Sequence, residues 1–160
     1  MNGFDKTDVK LADFLSEDLI FLDLETDTKL DAFRTMVTSM ASCHVIEEPE
    51  TFLDEVIERE TIQPTCIGRG IAVPHARSQC VERPVIAIGR TCRDIQFSQS
   101  QADNVNLIFL MGTPKDSPNP YLQILAQLCG LLRQNDFRSQ LLSASSSREM
   151  LKLFTEFSTS

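Results

Sequence analysis

The chain has little positive charge and few of the residues that build metal or nucleotide sites. Its 160 residues carry 15 Lys and Arg against 23 Asp and Glu, a formal net charge of −8, which argues against general binding to nucleic acid or to anionic membranes. It has two histidines and no Cys-x-x-Cys pair, so we expect no metal site. No apolar run reaches transmembrane length, and neither a P-loop nor a Gly-x-Ser-x-Gly hydrolase motif occurs. We therefore expect no cofactor, no nucleic-acid partner and no direct membrane insertion.

The cysteines and the N-terminus indicate a reducing compartment. There are five cysteines, an odd number, and the first residues lack a signal-peptide pattern, so we expect free thiols in the cytoplasm. Apolar residues make up 42% of the chain, enough for one domain with a real core. We expect that domain to span residues 11–157, after a loose polar segment over residues 1–10.

Hydrophobic periodicity predicts an α/β fold. A first strand covers Ile20–Leu24, and a first helix begins at Thr28 with Asp31 as its capping partner. Pro49 opens a second helix, and the most apolar run, Val105–Met111, predicts a central strand. The expected inner face of the first helix is Leu30, Phe33, Val37 and Met40, and that of the helix starting at Tyr121 is Leu122, Leu125, Leu128, Cys129 and Leu132. Further predicted elements are strands Gly70–Val73 and Val85–Arg90, an extended piece at Ile95 and Phe97, a short helix Phe137–Leu142, and a last helix capped by Ser146 and Glu149. We predict a single-domain sandwich with a central mixed β-sheet flanked by helices.

The segment Thr65–His75 is the best candidate for a functional site. It holds a Gly-x-Gly turn, a short apolar run, Pro74 and His75, and no Asp or Glu occurs from Thr61 to Val81. Proline cannot extend a hydrogen-bond ladder, so His75 should lie at a strand end on stiff backbone. A fixed histidine near arginines and glycine amides suits a phosphate or phosphoryl group. The alternative is a surface histidine without chemistry.

The same residues carry a family resemblance. Arg59-Glu60, Thr65 and the run Ile67-Gly68-Arg69-Gly70-Ile71-Ala72-Val73-Pro74-His75 resemble the motif of the fructose/mannitol-type enzyme IIA domains (EIIA) of the phosphoenolpyruvate-dependent sugar phosphotransferase system (PTS). That group includes the nitrogen-regulatory IIA proteins. The resemblance covers about Leu11 to Phe157 and implies the family's mixed-sheet sandwich.

The resemblance implies a phosphocarrier. His75 would accept a phosphoryl group on Nε2 from an HPr-type carrier, then pass it to a IIB protein or keep it as a regulatory mark. Arg59 matches the family's active-site arginine, although its flanking acids would suit a solvated surface charge. Thr65, Gly68 and Gly70 would bind the phosphate or orient the imidazole, whose Nδ1–H should be held by a backbone carbonyl or another acceptor.

Three positions depart from the family's pattern. Many members carry a second histidine where this chain has Tyr121, which can hydrogen-bond a phosphate or an imidazole but does not titrate near neutral pH. Cys66 replaces a usual glycine, and Arg69 stands where asparagine is common. Tyr121 is either a site residue or an ordinary helix-start residue.

Two functions from different classes follow. The first is a phosphotransferase intermediate acting through His75. Because no other PTS domain is present in this chain, we expect the nitrogen-regulatory branch rather than a sugar-specific one. The second is a regulatory binding module that controls partner proteins by forming complexes, with phosphorylation as a switch or absent.

Overall fold

A computed structural model describes residues 10–116 and 120–157, so most of the predicted loose segment over residues 1–10 lies outside it. One mixed sheet forms the centre of the fold, in the order β1-β5-β6-β3-β2, with β4 pairing to β6 as well. β1 is parallel to β5, β6 is antiparallel to β5, and both β3 and β4 are parallel to β6. The strands are β1 Ile20–Leu24, β2 Cys66–Gly68, β3 Ile71–Ala72, β4 His75–Ser78, β5 Val85–Gln96 and β6 Asn104–Pro114.

Three of the five α-helices in the described ranges begin where the capping residues or an N-terminal proline predict. The Thr28 hydroxyl accepts a hydrogen bond from the Asp31 amide at 3.1 Å, and the Ser146 hydroxyl accepts one from the Glu149 amide at 3.0 Å. Pro49 is the first residue of the second helix, where its missing N–H has no helical partner to lose. The helices are α1 Lys29–Ser42, α2 Pro49–Ile62, α3 Tyr121–Leu132, α4 Asn135–Ser143 and α5 Ser147–Glu156. None of the helices in these two ranges is both long and apolar enough to cross a membrane.

The core has two halves, one on each face of the sheet. Successive side chains of a strand point to opposite faces, and β6 is apolar on both. Its Ile108 and Leu110 join the half covered by α1 and α2, whereas Phe109 and Met111 join the half covered by α3, α4 and α5. The central position of β6 and the sandwich with a mixed sheet are confirmed.

Several local expectations were wrong. Leu30 is 50% exposed and Leu122 is 74% exposed, although both were assigned to inner helix faces. In α3, Ile124 and Leu131 are buried instead, because that helix is apolar around most of its circumference and periodicity alone does not select a face. Cys66–Gly68, for which no element was predicted, forms β2, which is too short to show a pattern. The two extended pieces after Pro84 form one strand, β5, with a register shift between Arg90 and Ile95.

Arg90 joins the sheet to the C-terminal helices. Its Nε donates to the Leu22 carbonyl at 3.2 Å, and its Nη1 donates to the carbonyls of Leu141 and Ala144 at 2.9 and 2.8 Å. The guanidinium thus satisfies carbonyls at the end of α4 that have no partner within the helix, and its charge complements the helix dipole.

We predict that Arg90→Met lowers the free energy of unfolding by about 2–3 kcal/mol, because it removes charge-assisted hydrogen bonds and leaves partly buried carbonyls unpaired. Urea unfolding followed by circular dichroism measures this. The control is Arg93→Met on the same strand, whose side chain is 72% exposed and pairs with an exposed Asp27; it should change stability by no more than about 0.5 kcal/mol. Equal losses in both variants would contradict the role given to Arg90.

Candidate active site around His75

His75 is the first residue of β4 and pairs with Met111 of β6. β3 ends at Ala72, so Val73 and Pro74 form a break between two strands that both lie along β6. The half-buried imidazole has its Nδ1 at 2.9 Å from the Val73 carbonyl oxygen. A carbonyl can only accept, so Nδ1 carries the hydrogen and Nε2 keeps its lone pair. The expected backbone carbonyl partner of Nδ1 is therefore present.

The surroundings keep this imidazole neutral. Burial lowers the pKa of His75 below 6.5; the Val73 carbonyl opposes the shift, and the nearby Arg59 charge adds to it. The neutral form, with its hydrogen on Nδ1 and a free lone pair on Nε2, is the nucleophilic one. At neutral pH the histidine is thus in the state that can attack an electrophile.

Tyr121, the first residue of α3, stacks on His75. The two ring centroids are 4.2 Å apart and the ring planes are inclined by 25°. Burial raises the pKa of the Tyr121 phenol above 10, so the phenol stays protonated at physiological pH. Because its ring lies against the imidazole, Tyr121 covers one face of His75 and restricts rotation of that side chain.

A cleft of about 430 Å³, here called the His75 cleft, lies between α2, β4 and the start of α3. It brings together three of the predicted site residues, His75, Arg59 and Tyr121. The charged side chains that line it are Arg59, Arg77 and Lys115 together with Glu55 and Glu58, and Ile62 adds apolar surface. Three cations against two carboxylates favour an anion near the imidazole.

Arg59 is held in place by its own helix end. Its Nη1 donates to the Gln63 carbonyl at 3.0 Å, just past the last turn of α2. A guanidinium held by one nitrogen still presents a planar fork to phosphate oxygens. Arg77 and Lys115 were not among the predicted site residues, although Arg77 is one of the arginines of the acid-free stretch that favours an anion. Lys115 directly follows β6, and that position at the end of the central strand was the available signal.

Thr65, Gly68 and Gly70 do not line the His75 cleft. Thr65 is buried and its hydroxyl donates to Glu60 Oε1 at 2.7 Å. Gly68 and Gly70 flank the tip of the β2–β3 hairpin, with φ angles of 91° and 79°. The Thr65 carbonyl accepts from the Val73 amide at 3.0 Å, so its position fits an orienting role better than phosphate contact.

Glu60 was also absent from the predicted site, since it was treated as a flanking acid at the end of a helix. Its side chain is only 3% exposed. Oε2 accepts from the Thr65 amide at 3.1 Å and from Lys29 Nζ at 3.3 Å, and Lys29 also donates to the Phe97 carbonyl at 2.8 Å. The contacts therefore run without interruption from α1 through Glu60, Thr65 and Val73 to the imidazole of His75. An acid next to the arginine, just before a long acid-free stretch, was the available signal.

We predict that Glu60→Gln lowers the free energy of unfolding by about 2–3 kcal/mol, because the amide cannot accept on both atoms and leaves the Lys29 ammonium without its carboxylate. Urea unfolding measures the loss, and proton–nitrogen NMR of the imidazole should show weakened Nδ1–H bonding at His75. Asp54→Asn, on the same helix, exposed and outside the lining of the His75 cleft, is the matched control and should alter neither quantity. An unchanged imidazole spectrum in Glu60→Gln would show that the carboxylate does not act on His75.

We predict that His75 titrates below pH 6.5 in the folded protein, as measured by the Cε1 proton shift in NMR. In the unfolded chain the same group titrates near 6.5, so between the two pKa values the unfolded state binds more protons. The contribution of His75 to stability should therefore be complete above pH 6.5 and should be lost as the pH falls from 6.5 toward the folded pKa. His75→Gln should remove this part of the pH dependence. A titration midpoint above 6.5 would contradict the inferred effect of burial.

Comparison with known proteins places this chain in a family. The family described as "Phosphoenolpyruvate-dependent sugar phosphotransferase system, EIIA 2" matches residues 13–157. The fructose-specific EIIA component of Haloferax volcanii is 29% identical over 139 residues, covering 87% of this chain and 90% of that protein. The fructose-specific EIIABC component of Bacillus subtilis is 27% identical over 148 residues, 92% of this chain, but the chain spans only 23% of that longer protein.

A solved structure agrees with the family match. The nitrogen regulatory protein IIA-Ntr from Neisseria meningitidis superposes with a TM-score of 0.82 at 25% identity, covering 90% of this chain and 98% of that one. The sequence motif, the fold and these comparisons lead to one conclusion: the chain belongs to the EIIA 2 family of the phosphoenolpyruvate-dependent sugar phosphotransferase system.

Proposed function

We propose that the chain is a phosphocarrier of the PTS in which Nε2 of His75 accepts a phosphoryl group from the phosphohistidine of an HPr-type carrier. The observation that carries this proposal is the contact between Nδ1 and the Val73 carbonyl, because it makes Nε2 the nitrogen with the available lone pair. The family membership and the cationic cleft around the imidazole support it.

In the transfer step the Nε2 lone pair attacks phosphorus, the phosphorus–nitrogen bond to the donor breaks, and its electron pair returns to the donor imidazole. No net redox change or further reactant is involved. Positioning and charge stabilisation of the equatorial oxygens supply most of the catalysis in such transfers. Arg59 would hold two of those oxygens with its fork, and Arg77 and Lys115 would add positive charge on the side of β4 and β6.

The group would leave by the reverse chemistry, to a cysteine or histidine of a IIB protein. The Bacillus subtilis relative is by its name an EIIABC component, so an EIIA portion of that protein shares a chain with B and C portions. We place the exchange in the cytoplasm, where phosphoenolpyruvate is made.

A regulatory output is the second candidate, and Tyr121 is the observation that favours it. The stacked phenol keeps its proton and cannot gain the positive charge of a second histidine, so a phosphoryl group would be released less readily and would persist longer as a mark. The likeness to IIA-Ntr is in accord with this use. The chain would then control partners through complexes that depend on its phosphorylation, or through binding alone.

The deciding experiment supplies phosphoenolpyruvate, enzyme I and an HPr-type carrier, and reads the product by phosphorus NMR. We expect an acid-labile Nε2-phosphohistidine in the wild type and none in His75→Gln. The chain's other histidine provides the matched control, and His44→Gln should be phosphorylated like the wild type.

Circular dichroism must show that His75→Gln is folded, since a folded protein without label separates chemistry from stability. If folded wild type accepts no phosphoryl group from any matched carrier, the transfer mechanism is refuted and the binding module remains. If label enters but no IIB protein removes it, the regulatory output is favoured.

A further inference from the structure

A second cleft lies at the far end of α3 from His75. It has a volume of about 430 Å³ and is called the Arg69 groove here; Ile67, Gly68, Arg69 and Ile71 of the β2–β3 hairpin line one side, and Cys129, Leu132 and Arg133 line the other. Tyr121 begins α3 at the His75 cleft and Leu132 ends it at the groove. The two clefts share no lining residue, so the chemistry proposed for His75 does not account for the groove.

Arg69 occupies a backbone position that disfavours its side chain. Gly68 pairs with Ile71, which makes Arg69 and Gly70 a two-residue hairpin turn with φ angles of 59° and 79°. Turns with positive φ at both central residues strongly prefer Asn-Gly, because a Cβ atom is strained at positive φ, whereas glycine has none and asparagine gains a local hydrogen bond. Strained backbone positions are concentrated at functional sites, so a strained residue suggests a function for its side chain. Here that side chain is a guanidinium at the rim of the groove.

Arg69 and Arg133 are both available for a ligand. Both are exposed, and within residues 10–116 and 120–157 neither guanidinium makes a hydrogen bond or an ion pair. Arg133 follows the C-terminus of α3, where a cation complements the helix dipole. The Leu132 carbonyl, however, already accepts a hydrogen bond from the guanidinium of Arg138, so Arg133 is not needed to cap that carbonyl.

The floor and one rim of the groove are apolar. Ile71 and Leu132 are buried beneath it, and Ile67 at the hairpin is 45% exposed. A site for a free inorganic anion gains nothing from an exposed isoleucine, whereas a protein segment can cover it with an aliphatic side chain. The groove therefore combines two anion-binding forks with an apolar contact.

We propose that the Arg69 groove docks an acidic segment of a partner protein, with carboxylates on the two guanidiniums and an aliphatic side chain over Ile67. Guanidinium forks match carboxylates in a bidentate geometry. The chain's net charge of −8 repels anionic lipid and diffuse acidic surfaces, so only a segment whose carboxylates reach both arginines gains from binding. This interaction does not depend on phosphorylation of His75.

The test uses a synthetic hexapeptide of two leucines flanked on each side by two glutamates, titrated into the full chain and followed by proton–nitrogen correlation NMR. We expect saturable shifts at the hairpin tip and at the end of α3, and no such shifts with glutamine in place of glutamate. Arg69→Asn should weaken binding at least about tenfold, since it removes a charge-assisted contact. The same variant should raise the melting temperature, because asparagine suits the left-handed turn position.

Arg133→Gln should also weaken binding of the peptide. The control is Arg148→Gln, which removes an exposed arginine on α5 and should leave the affinity for the peptide unchanged. Several outcomes would overturn the proposal: no saturable shifts at millimolar peptide, shifts away from the groove, or equal affinity in Arg69→Asn. Inorganic phosphate is titrated in parallel. If phosphate alone gives the same shifts at the same concentration, the groove is a small-anion site and the docking of a protein segment is refuted.

Discussion

The site rests on one buried carboxylate, that of Glu60. A carboxylate removed from water is stable only when most of its lone pairs are engaged, and here the Lys29 ammonium, the Thr65 hydroxyl and the Thr65 amide engage them. Satisfying that charge fixes where Thr65 lies and, through the bond between Thr65 and Val73, which carbonyl faces the imidazole. The contacts that position the Val73 carbonyl, which accepts from Nδ1 of His75, therefore lead back to a charge that does not line the His75 cleft.

Much of the architecture could be predicted from local rules. Capping boxes at Thr28 and Ser146, Pro49 at a helix start, and a run of apolar residues too short for a helix each report on a few neighbouring residues. The local rules need no knowledge of distant contacts, which is why sequence alone reveals these elements. The site residues came from the family resemblance: the motif that ends at His75 identified Arg59 and His75, and the position of the family's second histidine identified Tyr121.

The errors arose where contacts between residues distant in the sequence decide which side chains are buried and which segments form strands. α3 is apolar on most sides, so the side that faces the sheet depends on where α4 and α5 lie, and Leu122 was placed on the wrong side. Glu60 sits beside exposed acids on α2, and nothing within the helix shows that Lys29 and Thr65 will enclose it. β2 has only three residues, so its sequence shows no strand pattern. Its pairing with β3 depends on β6, which pairs with β3 and positions the hairpin.

The contacts of Arg90 have a consequence for folding during synthesis. One guanidinium binds a carbonyl of β1, near the start of the sequence, and two carbonyls at the end of α4, more than a hundred residues later in the sequence. The Ser147 hydroxyl also donates to the Ile20 carbonyl of β1. Strand β1 therefore obtains its full set of partners only after more than a hundred further residues have left the ribosome. The sheet edge that holds β1 should be the last part of the domain to become protected as the nascent chain emerges.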